Sequence, residues 1–327
     1  MIDAVLSPLQ RWLLFSGVLL LVGAASWRSF VAPWQPALLR GAMREVEGRL
    51  VRAAGLVALL LLPVWALRLG VQVRNFRDPF APVTEDLHFL LFETFWGTVW
   101  IGQGAVLLLL WTSFRALQYT VRDRARAERE AKETGQLKPE NEGPAPRLPL
   151  GWKVAWIGVL LLVLTLSLSS HAVAVPRLAP FTVALDGLHT LAAGAWMGTL
   201  ALILWLRPRG GGAIPALAGQ LRSFSYMAMG AVPLLLAMGI LLAGFHLGEF
   251  ENLWRAAYGR VLSLKILAAG VVLFLGFRNW NVGLPVADDE EGARTVRRRA
   301  GVEVGVAALV VLLTAILVGT PVPEGVH

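Results

Sequence analysis

The stretch LDGLHTLAAGAWMGTLALILWL (Leu185–Leu206) is the one around which the rest of the chain is best understood. Its 22 residues are apolar and long enough for a transmembrane helix, which needs about 20 residues. Near its beginning, however, it carries Asp186 and His189. An ionisable side chain inside a membrane span costs about 2.5–3.5 kcal/mol at the bilayer centre, so these two residues predict a function or a partner within a helix bundle.

One face of this helix combines three kinds of polar or polarisable side chain. Helical steps of three, seven, ten and eleven residues from Asp186 give His189, Ala193, Trp196 and Met197. The carboxylate lies one turn from the imidazole, which is the usual arrangement for orienting a metal-binding histidine. The Met197 thioether lies roughly 12 Å deeper by helix rise, so it predicts a second, deeper station and not a shared ion.

The composition of the 327-residue chain is that of a polytopic membrane protein. Apolar residues make up 56% and charged residues 16%, whereas soluble domains have about 45–50% and about 25%. The chain has no cysteine, which excludes disulfides, thiolate metal sites, iron–sulfur clusters and covalently attached c-type haem. Any metal ligand must therefore come from His, Met, carboxylate or backbone groups.

Eight segments reach spanning length, which predicts an all-α fold of eight transmembrane helices. We place spans one to eight at Trp12–Val31, Ala53–Val73, Leu87–Leu117, Trp152–His171, Phe181–Leu206, Phe224–Phe245, Tyr258–Phe277 and Val302–Gly319. The basic, amphipathic segment Leu38–Arg52 is expected to lie at the membrane surface. The mixed charges of residues 121–133 predict a helical extension of span three, followed by a flexible linker. We therefore divide the chain into helices 1–118, a charged cytoplasmic linker 119–150, and helices 151–327.

The positive charges predict the orientation of the spans. With the linker in the cytoplasm, that side of the membrane holds 22 of the 30 lysines and arginines, which explains the net charge of +8 without nucleic-acid binding. Both termini then face outward. All five histidines fall on the outer side, at positions 88, 171, 189, 246 and 327. This clustering favours a chemical role for the outer ends of the spans.

Spans three and seven carry an internal repeat at an offset of 162 residues. The aligned stretches are FWGTVWIGQGAVLLLL (95–110) and AYGRVLSLKILAAGVV (257–272). They pair Gly97 with Gly259 and Gln103 with Lys265. The repeat predicts two four-helix halves of like orientation, related by an axis along the membrane normal. The halves are chemically unequal, because span one has no counterpart of the histidine in span five.

Four histidines near the outer span ends predict a metal site: His88, His171, His189 and His246. Around them we expect a supporting group of second-shell residues or deeper ligands: Asp186, Trp196, Met197 and Met238. Imidazole and thioether groups together suit a soft cation such as Cu(I). The alternative for each of these histidines is a structural hydrogen bond to a neighbouring helix.

Further charges fall within the predicted spans. Glu93, Arg260 and Lys265 are expected to be buried, with Glu93 bridging to one of the two cations, or else serving in gating or proton movement. Glu303 is expected to form an interfacial ion pair with Arg297–Arg299. The chain has no P-loop, dinucleotide-binding fingerprint, HExxH motif or nucleophile elbow, so we expect no hydrolase or nucleotide-driven activity.

With these motifs, the chain resembles the copper resistance protein D (CopD) family of bacterial membrane proteins. The stretches that carry the resemblance are SLSSHAVAVPRLAPFTVALDGLHTLAAGAWMGTLALI (167–203), AAYGRVLSLKILAAGVVLFLGFRN (256–279) and VRRRAGVEVGVAALVVLLTAIL (296–317). They are similar to the family's His-Ala element and His-x-x-Ala-Ala-x-x-Trp-x-Gly helix, its Tyr-Gly-Arg helix with a lysine, and its final span with an early glutamate. The positions matching the family pattern are His171, His189, Trp196, Gly198, Tyr258, Gly259, Lys265 and Glu303.

The resemblance implies copper import across a bacterial inner membrane, with a periplasmic copper-binding protein as partner. The charge count, which turns both termini outward, would then place them in the periplasm. Two other hypotheses remain open from the residues themselves. Two outer histidines on neighbouring helices would also suit the axial positions of a b-type haem that transfers electrons. In the third hypothesis the protein is an assembly subunit without a cofactor, and its histidines bond only to neighbouring helices.

Overall fold

The computed structural model describes residues 2–78, 80, 82–134, 148–170, 178–207, 213–283, 285, 287 and 289–322, and over these residues it is all-α with no strand. Its α-helices are α1 Ile2–Ser26, α2 Arg40–Phe76, α3 Val83–Phe92, α4 Phe95–Glu133, α5 Leu150–Leu168, α6 Ala179–Ala193, α7 Thr199–Trp205, α8 Ala213–Leu247, α9 Asn252–Arg255, α10 Ala257–Arg278 and α11 Glu290–Leu317. Short π-helices extend α1 (Trp27–Val31), join α6 to α7 (Gly194–Gly198) and extend α10 (Asn279–Gly283).

Within the described residues, eight helical segments are long and apolar enough to cross a membrane, which confirms the predicted all-α polytopic fold. They are Val5–Trp34, Arg40–Phe76, Phe95–Ala127, Leu150–Leu168, Ala179–Trp205, Ala213–Leu247, Ala257–Gly283 and Glu290–Leu317. The predicted extension of span three is also confirmed, since α4 continues to Glu133. The flexible linker predicted after it falls mostly at 135–147, outside the described residues.

The predicted start of span three at Leu87 is wrong. The separate helix α3 ends at Phe92, and the span itself begins at Phe95. Thr94 explains the new start, because its hydroxyl accepts a hydrogen bond from the Gly97 backbone N–H at 3.0 Å and so caps α4. The chain therefore forms two helices with a turn between them, whereas the apolar run alone suggests a single continuous helix.

The location of Leu38–Arg52 at the membrane surface stays a prediction, but the segment is not separate from the second span. From Arg40 onward this segment is the first part of the continuous helix α2, and its apolar face is buried in the bundle. Glu47, on the same segment, accepts hydrogen bonds from the buried residues Arg28 and Trp152, at 3.0 and 2.9 Å. This charge-assisted contact joins α2 to the π-helix after α1 and to α5, so it ties the segment to the bundle interior.

Successive spans alternate in direction, which gives the bundle two sides. The histidine side, as we name it, is where α1, α4, α6 and α10 begin and α2, α5, α8 and α11 end. The linker side is the opposite one, where α4 ends and α5 begins. His88, His189 and His246 all lie toward the histidine side, whereas His171 and His327 fall outside the described residues.

Helix α1 is central to the bundle, because it packs against helices of both predicted halves. Its closest approach is to the π-helix of span five, where Gly23 and Gly198 meet. A Cβ atom on Gly198 would lie 1.9 Å from the Leu19 carbonyl oxygen, and one on Gly23 would lie 2.3 Å from the Gly198 carbonyl carbon. Thr199 adds a hydrogen bond from its hydroxyl to the Gly23 carbonyl oxygen at 3.2 Å. Small residues at such crossings allow membrane helices to approach at backbone distance.

The internal repeat has a structural counterpart. A Cβ atom on Gly97 would lie 2.2 Å from the Leu90 carbonyl oxygen, and one on Gly259 would lie 1.9 Å from the Asn252 carbonyl oxygen. Leu90 and Asn252 are themselves 162 residues apart. In both halves, therefore, the glycine leaves room for the backbone of the short helix that precedes its span, α3 in one case and α9 in the other. The same local arrangement thus occurs at the start of α4 and of α10.

Candidate functional site

His189 lies in α6 and is oriented by the neighbouring span α8. Its Nδ1 lies 3.0 Å from the Leu235 carbonyl oxygen, and because a carbonyl can only accept, Nδ1 carries the proton and donates. The Nε2 lone pair of the neutral ring is then left for a ligand. Gly239 provides the room for the ring, since a Cβ atom there would lie 3.1 Å from His189 Cε1.

Asp186 has different partners from the expected one. A backbone carbonyl, and not the Asp186 carboxylate, orients His189. The carboxylate instead accepts a hydrogen bond from Ser170 at 3.4 Å and interacts electrostatically with Lys265 of α10. Ser167 also approaches it, although the buried Ser167 hydroxyl makes no hydrogen bond within 3.5 Å among the described residues. Asp186 therefore joins three elements, α5, α6 and α10.

His246, near the end of α8, is a second oriented imidazole. Its Nδ1 donates to the Leu242 carbonyl oxygen at 2.7 Å, and its Nε2 is buried with no hydrogen-bond partner among the described residues. The ring lies 6.4 Å from that of Tyr258, and its charge, when protonated, would interact with Asp186. A buried nitrogen lone pair without a donor is a costly feature, and a bound cation would satisfy it.

The two histidines lie at successive levels along the bundle axis. His189 contacts α8 beside Gly239, and His246 follows seven residues later, which corresponds to about 10 Å of helix rise. Because side chains lean toward the N-terminus of their helix, His189 leans toward the histidine side and His246 leans away from it. The His189 ring thus approaches the level of Asp186 from the linker side, and the His246 ring approaches it from the histidine side. We call Asp186, His189, His246 and Lys265 the outer cluster.

No group of three or more His, Cys, Asp or Glu side chains is placed to hold a metal ion within the part of the chain that the structure describes. His171, the nearest further candidate along the chain, lies outside that part. The two predicted methionines are not brought to the outer cluster by any described contact. Met197 packs against the apolar core, and Met238 is half-buried on α8. The outer cluster is therefore a pair of imidazoles beside one carboxylate and one ammonium.

The structure corrects two of the predicted buried charges. The Glu93 side chain is 56% exposed and lies 3.5 Å from His88, so it pairs there and bridges neither Arg260 nor Lys265. Arg260 is exposed and donates to the Arg255 carbonyl oxygen. His88 itself lies on α3, which packs against α2 and α4 in the first half of the chain. Among the three predicted buried charges, Lys265 is the one that joins the cluster.

A cavity of about 450 Å³ lies on the linker side of the outer cluster. Its walls come from α8, α10, α11 and the π-helix of span five, and its lining includes Trp196, Met229, Asn279 and Glu303. By helix rise, Trp196 lies roughly 10 Å below His189. Pro233, also in the lining, has no N–H, so the Met229 carbonyl lacks its usual helical donor.

Glu303 is the main polar group of this cavity, and it is not the interfacial ion pair predicted from the sequence. The residue is only 4% exposed, and it accepts a hydrogen bond from Asn279 Nδ2 at 2.8 Å. Gly276 gives it space, since a Cβ atom there would lie 3.2 Å from Glu303 Oε1. The sequence signal was present in the form of a carboxylate within an apolar span, but the adjacent arginines suggested a surface pair.

Residues 218–317 match the family model of copper resistance protein D (CopD). The predicted resemblance to this family is confirmed. The CopD region covers α8 from Ala218 through α11, and so includes His246, Lys265 and Glu303, while Asp186 and His189 precede it. No curated protein and no solved structure matches the chain. The protein is thus a multi-pass membrane protein whose last three spans contain a region similar to the CopD family.

Proposed function

We propose that this protein imports copper through the CopD region and span five, from the histidine side to the linker side of the bundle. The observation that carries the proposal is the pair His189 and His246. Each imidazole is fixed by an Nδ1 hydrogen bond to a backbone carbonyl, which leaves Nε2 as the nitrogen available to a cation. Neutral imidazole is a suitable ligand for copper, and the outer cluster lies inside a predicted membrane region where polar groups mark ion pathways.

Lys265 and Asp186 provide a means of controlling occupancy. In the absence of a cation, the Lys265 side chain would offset part of the charge of Asp186, with which it interacts electrostatically. A copper ion arriving between the histidines would compete with Lys265 for the same negative charge. The site would then bind a cation without leaving an unpaired carboxylate in the membrane after its release, since a buried unpaired charge is strongly unfavourable.

The cavity below the outer cluster supplies a second station. Its carboxylate, thioether and freed carbonyl are all groups that bind cations, and a soft metal ion favours the thioether of Met229. Trp196 lies at the boundary between the two regions, seven residues along span five from His189. A pathway from His246 through His189 to Glu303 thus follows the faces of α8, span five and α11.

The bacterial inner membrane is the proposed location, with the histidine side and both termini in the periplasm. The excess of lysine and arginine on the linker side supports this orientation. A periplasmic copper-binding protein is the proposed donor, because free copper is scarce. Reporter fusions near Gly135 and Arg177 test the orientation, and a Gly135 fusion that reports from the outside would overturn it.

Copper uptake by cells or proteoliposomes containing the full chain tests the proposal. His189→Gln and His246→Gln retain a hydrogen-bond donor but lack the imidazole lone pair, so each should reduce the initial uptake rate by about tenfold or more. His88→Gln is the matched control, because His88 is exposed in the first half of the chain. Equal uptake by all three variants would refute the proposal. A dithionite-reducible Soret band lost in the first two variants would instead support the haem hypothesis.

A further inference from the structure

A second cluster of polar residues lies toward the histidine side, in the first half of the chain and outside the CopD region. Arg68 of α2 donates from Nη1 to Gln103 Oε1 of α4 at 3.0 Å. Its guanidinium also lies 5.5 Å from the centre of the Trp96 ring. These contacts fix the position of the cation, and they occupy the Gln103 amide oxygen.

A second cation, Arg11 of α1, lies close enough to Arg68 for their charges to repel each other. Arg11 is held by the Ala315 carbonyl oxygen of α11 at 3.5 Å. Neither arginine forms an ion pair with a carboxylate of the described residues. Two like charges inside a span are unfavourable unless a negative charge accompanies them.

Two amide groups of the same region lack hydrogen-bond acceptors. Gln103 is 0% exposed and Gln10 is 2% exposed, and the Nε2 atom of each is buried with no partner among the described residues. Because Gln103 Oε1 accepts from Arg68, the orientation of that amide is fixed and its NH2 group is the unsatisfied one. An unsatisfied buried donor costs about 1–3 kcal/mol, so the arrangement calls for an acceptor.

Helix geometry brings Gln10 to the level of Arg68. A Cβ atom on Gly17 would lie 2.6 Å from Leu61 Cδ2, so these two residues face each other across α1 and α2. The two helices run in opposite directions, and seven residues is nearly two full turns. Moving seven residues toward the histidine side on both helices leads from Gly17 to Gln10 and from Leu61 to Arg68.

We propose that Gln10, Arg11, Arg68 and Gln103 form a binding site for a phosphate group. The buried side-chain atoms of the cluster that lack a hydrogen-bond partner are both amide donors, Gln10 Nε2 and Gln103 Nε2. The two guanidinium groups add forks that match the oxygen geometry of phosphate. The phosphate belongs to an anionic phospholipid or is free in solution. Both arginines are half-buried, so the site is accessible from the surface of the bundle.

The internal repeat relates this site to the outer cluster. Gln103 corresponds to Lys265 at the offset of 162 residues, so the phosphate site and the outer cluster occupy equivalent places in the two halves. The first half presents two arginines and amide donors there, whereas the second half presents a carboxylate and two imidazoles beside a single cation, Lys265. The two halves have thus specialised for ligands of opposite charge at one structural position.

Two measurements on the purified full chain distinguish the sources of the phosphate. Native mass spectrometry after reconstitution in phosphatidylcholine with phosphatidylglycerol reports bound anionic lipid. Thermal unfolding in detergent with added inorganic phosphate, against chloride at equal ionic strength, reports a free anion. Arg68→Gln should weaken whichever ligand binds by about tenfold or more, whereas the control Arg77→Gln, at an exposed position after α2, should not.

Gln103→Glu provides a test that does not depend on loss of folding. A carboxylate at this position would satisfy both arginines from within the chain, so the variant should unfold at a higher temperature than the wild type and should no longer respond to lipid or phosphate. The proposal is overturned if the wild type neither retains phosphatidylglycerol nor responds to phosphate. It is also overturned if Arg77→Gln loses the ligand as fully as Arg68→Gln.

Discussion

The contact between Gly23 and Gly198 allows a quantitative prediction for Gly198→Ala. The added Cβ would lie 1.9 Å from the Leu19 carbonyl oxygen, whereas real Cβ atoms essentially never approach within 3.0 Å, so the two helices must separate locally by about 1 Å. Overpacking of this kind costs about 1–3 kcal/mol. The same separation lengthens the hydrogen bond from Thr199 to Gly23, now 3.2 Å, which adds about 0.5–1.5 kcal/mol.

Melting of the detergent-solubilised protein, followed by intrinsic tryptophan fluorescence, measures this loss. We expect Gly198→Ala to unfold several degrees below the wild type, since about 1.5–4.5 kcal/mol is lost in total. Gly270→Ala is the matched control, because nothing lies within 4 Å of a Cβ atom at that position of α10. Alanine also favours a helix more than glycine by about 1 kcal/mol. A Gly198→Ala protein that melts at or above the control would refute the close-contact argument.

Three further predictions concern charge and space elsewhere in the bundle. Glu47→Gln should lower the free energy of unfolding by up to about 3 kcal/mol, because it leaves the Arg28 cation without its charged partner, and an unchanged melting temperature would contradict this. Lys265→Met should increase copper retained by the purified protein while slowing uptake, and loss of retention would show that the ammonium supports the site. Gly276→Ala should slow uptake, because its Cβ would lie 3.2 Å from Glu303 Oε1, but should lower the free energy of unfolding by no more than about 1 kcal/mol. Normal uptake by this variant would argue against the cavity as a station.

The spans were predictable because membrane insertion depends on the length and apolarity of one segment at a time. The placement of Asp186 and His189 on one face was predictable for a similar reason, since both lie in the regular part of α6. The break before Phe95 was not predicted, because it depends on one capping hydroxyl at Thr94 inside a continuous apolar run. Local periodicity does not reveal such a cap when the flanking residues are equally apolar.

The partners of the site residues could not be predicted from spacing. Lys265 of α10 interacts electrostatically with Asp186 of α6 although the two residues are far apart along the chain, and a single sequence does not specify which spans are neighbours. The π-helix Gly194–Gly198 also changes the predicted face of span five. Its wider turn takes extra residues, so Trp196 lines the cavity while Met197 packs against the apolar core. Extrapolating a 3.6-residue period through that segment placed both residues on the face of His189.

The crossing of Gly23 and Gly198 also limits how the protein can move. No side chain separates the two backbones at that point, so sliding one helix along the other would drive carbonyl groups into each other. Rotation about the crossing changes this contact least. The crossing therefore acts as a fulcrum, with His189 on one side of it along span five and the helix end that carries Trp205 on the other. A rotation of the helices about this crossing that opens the bundle at one membrane surface would close it at the opposite surface.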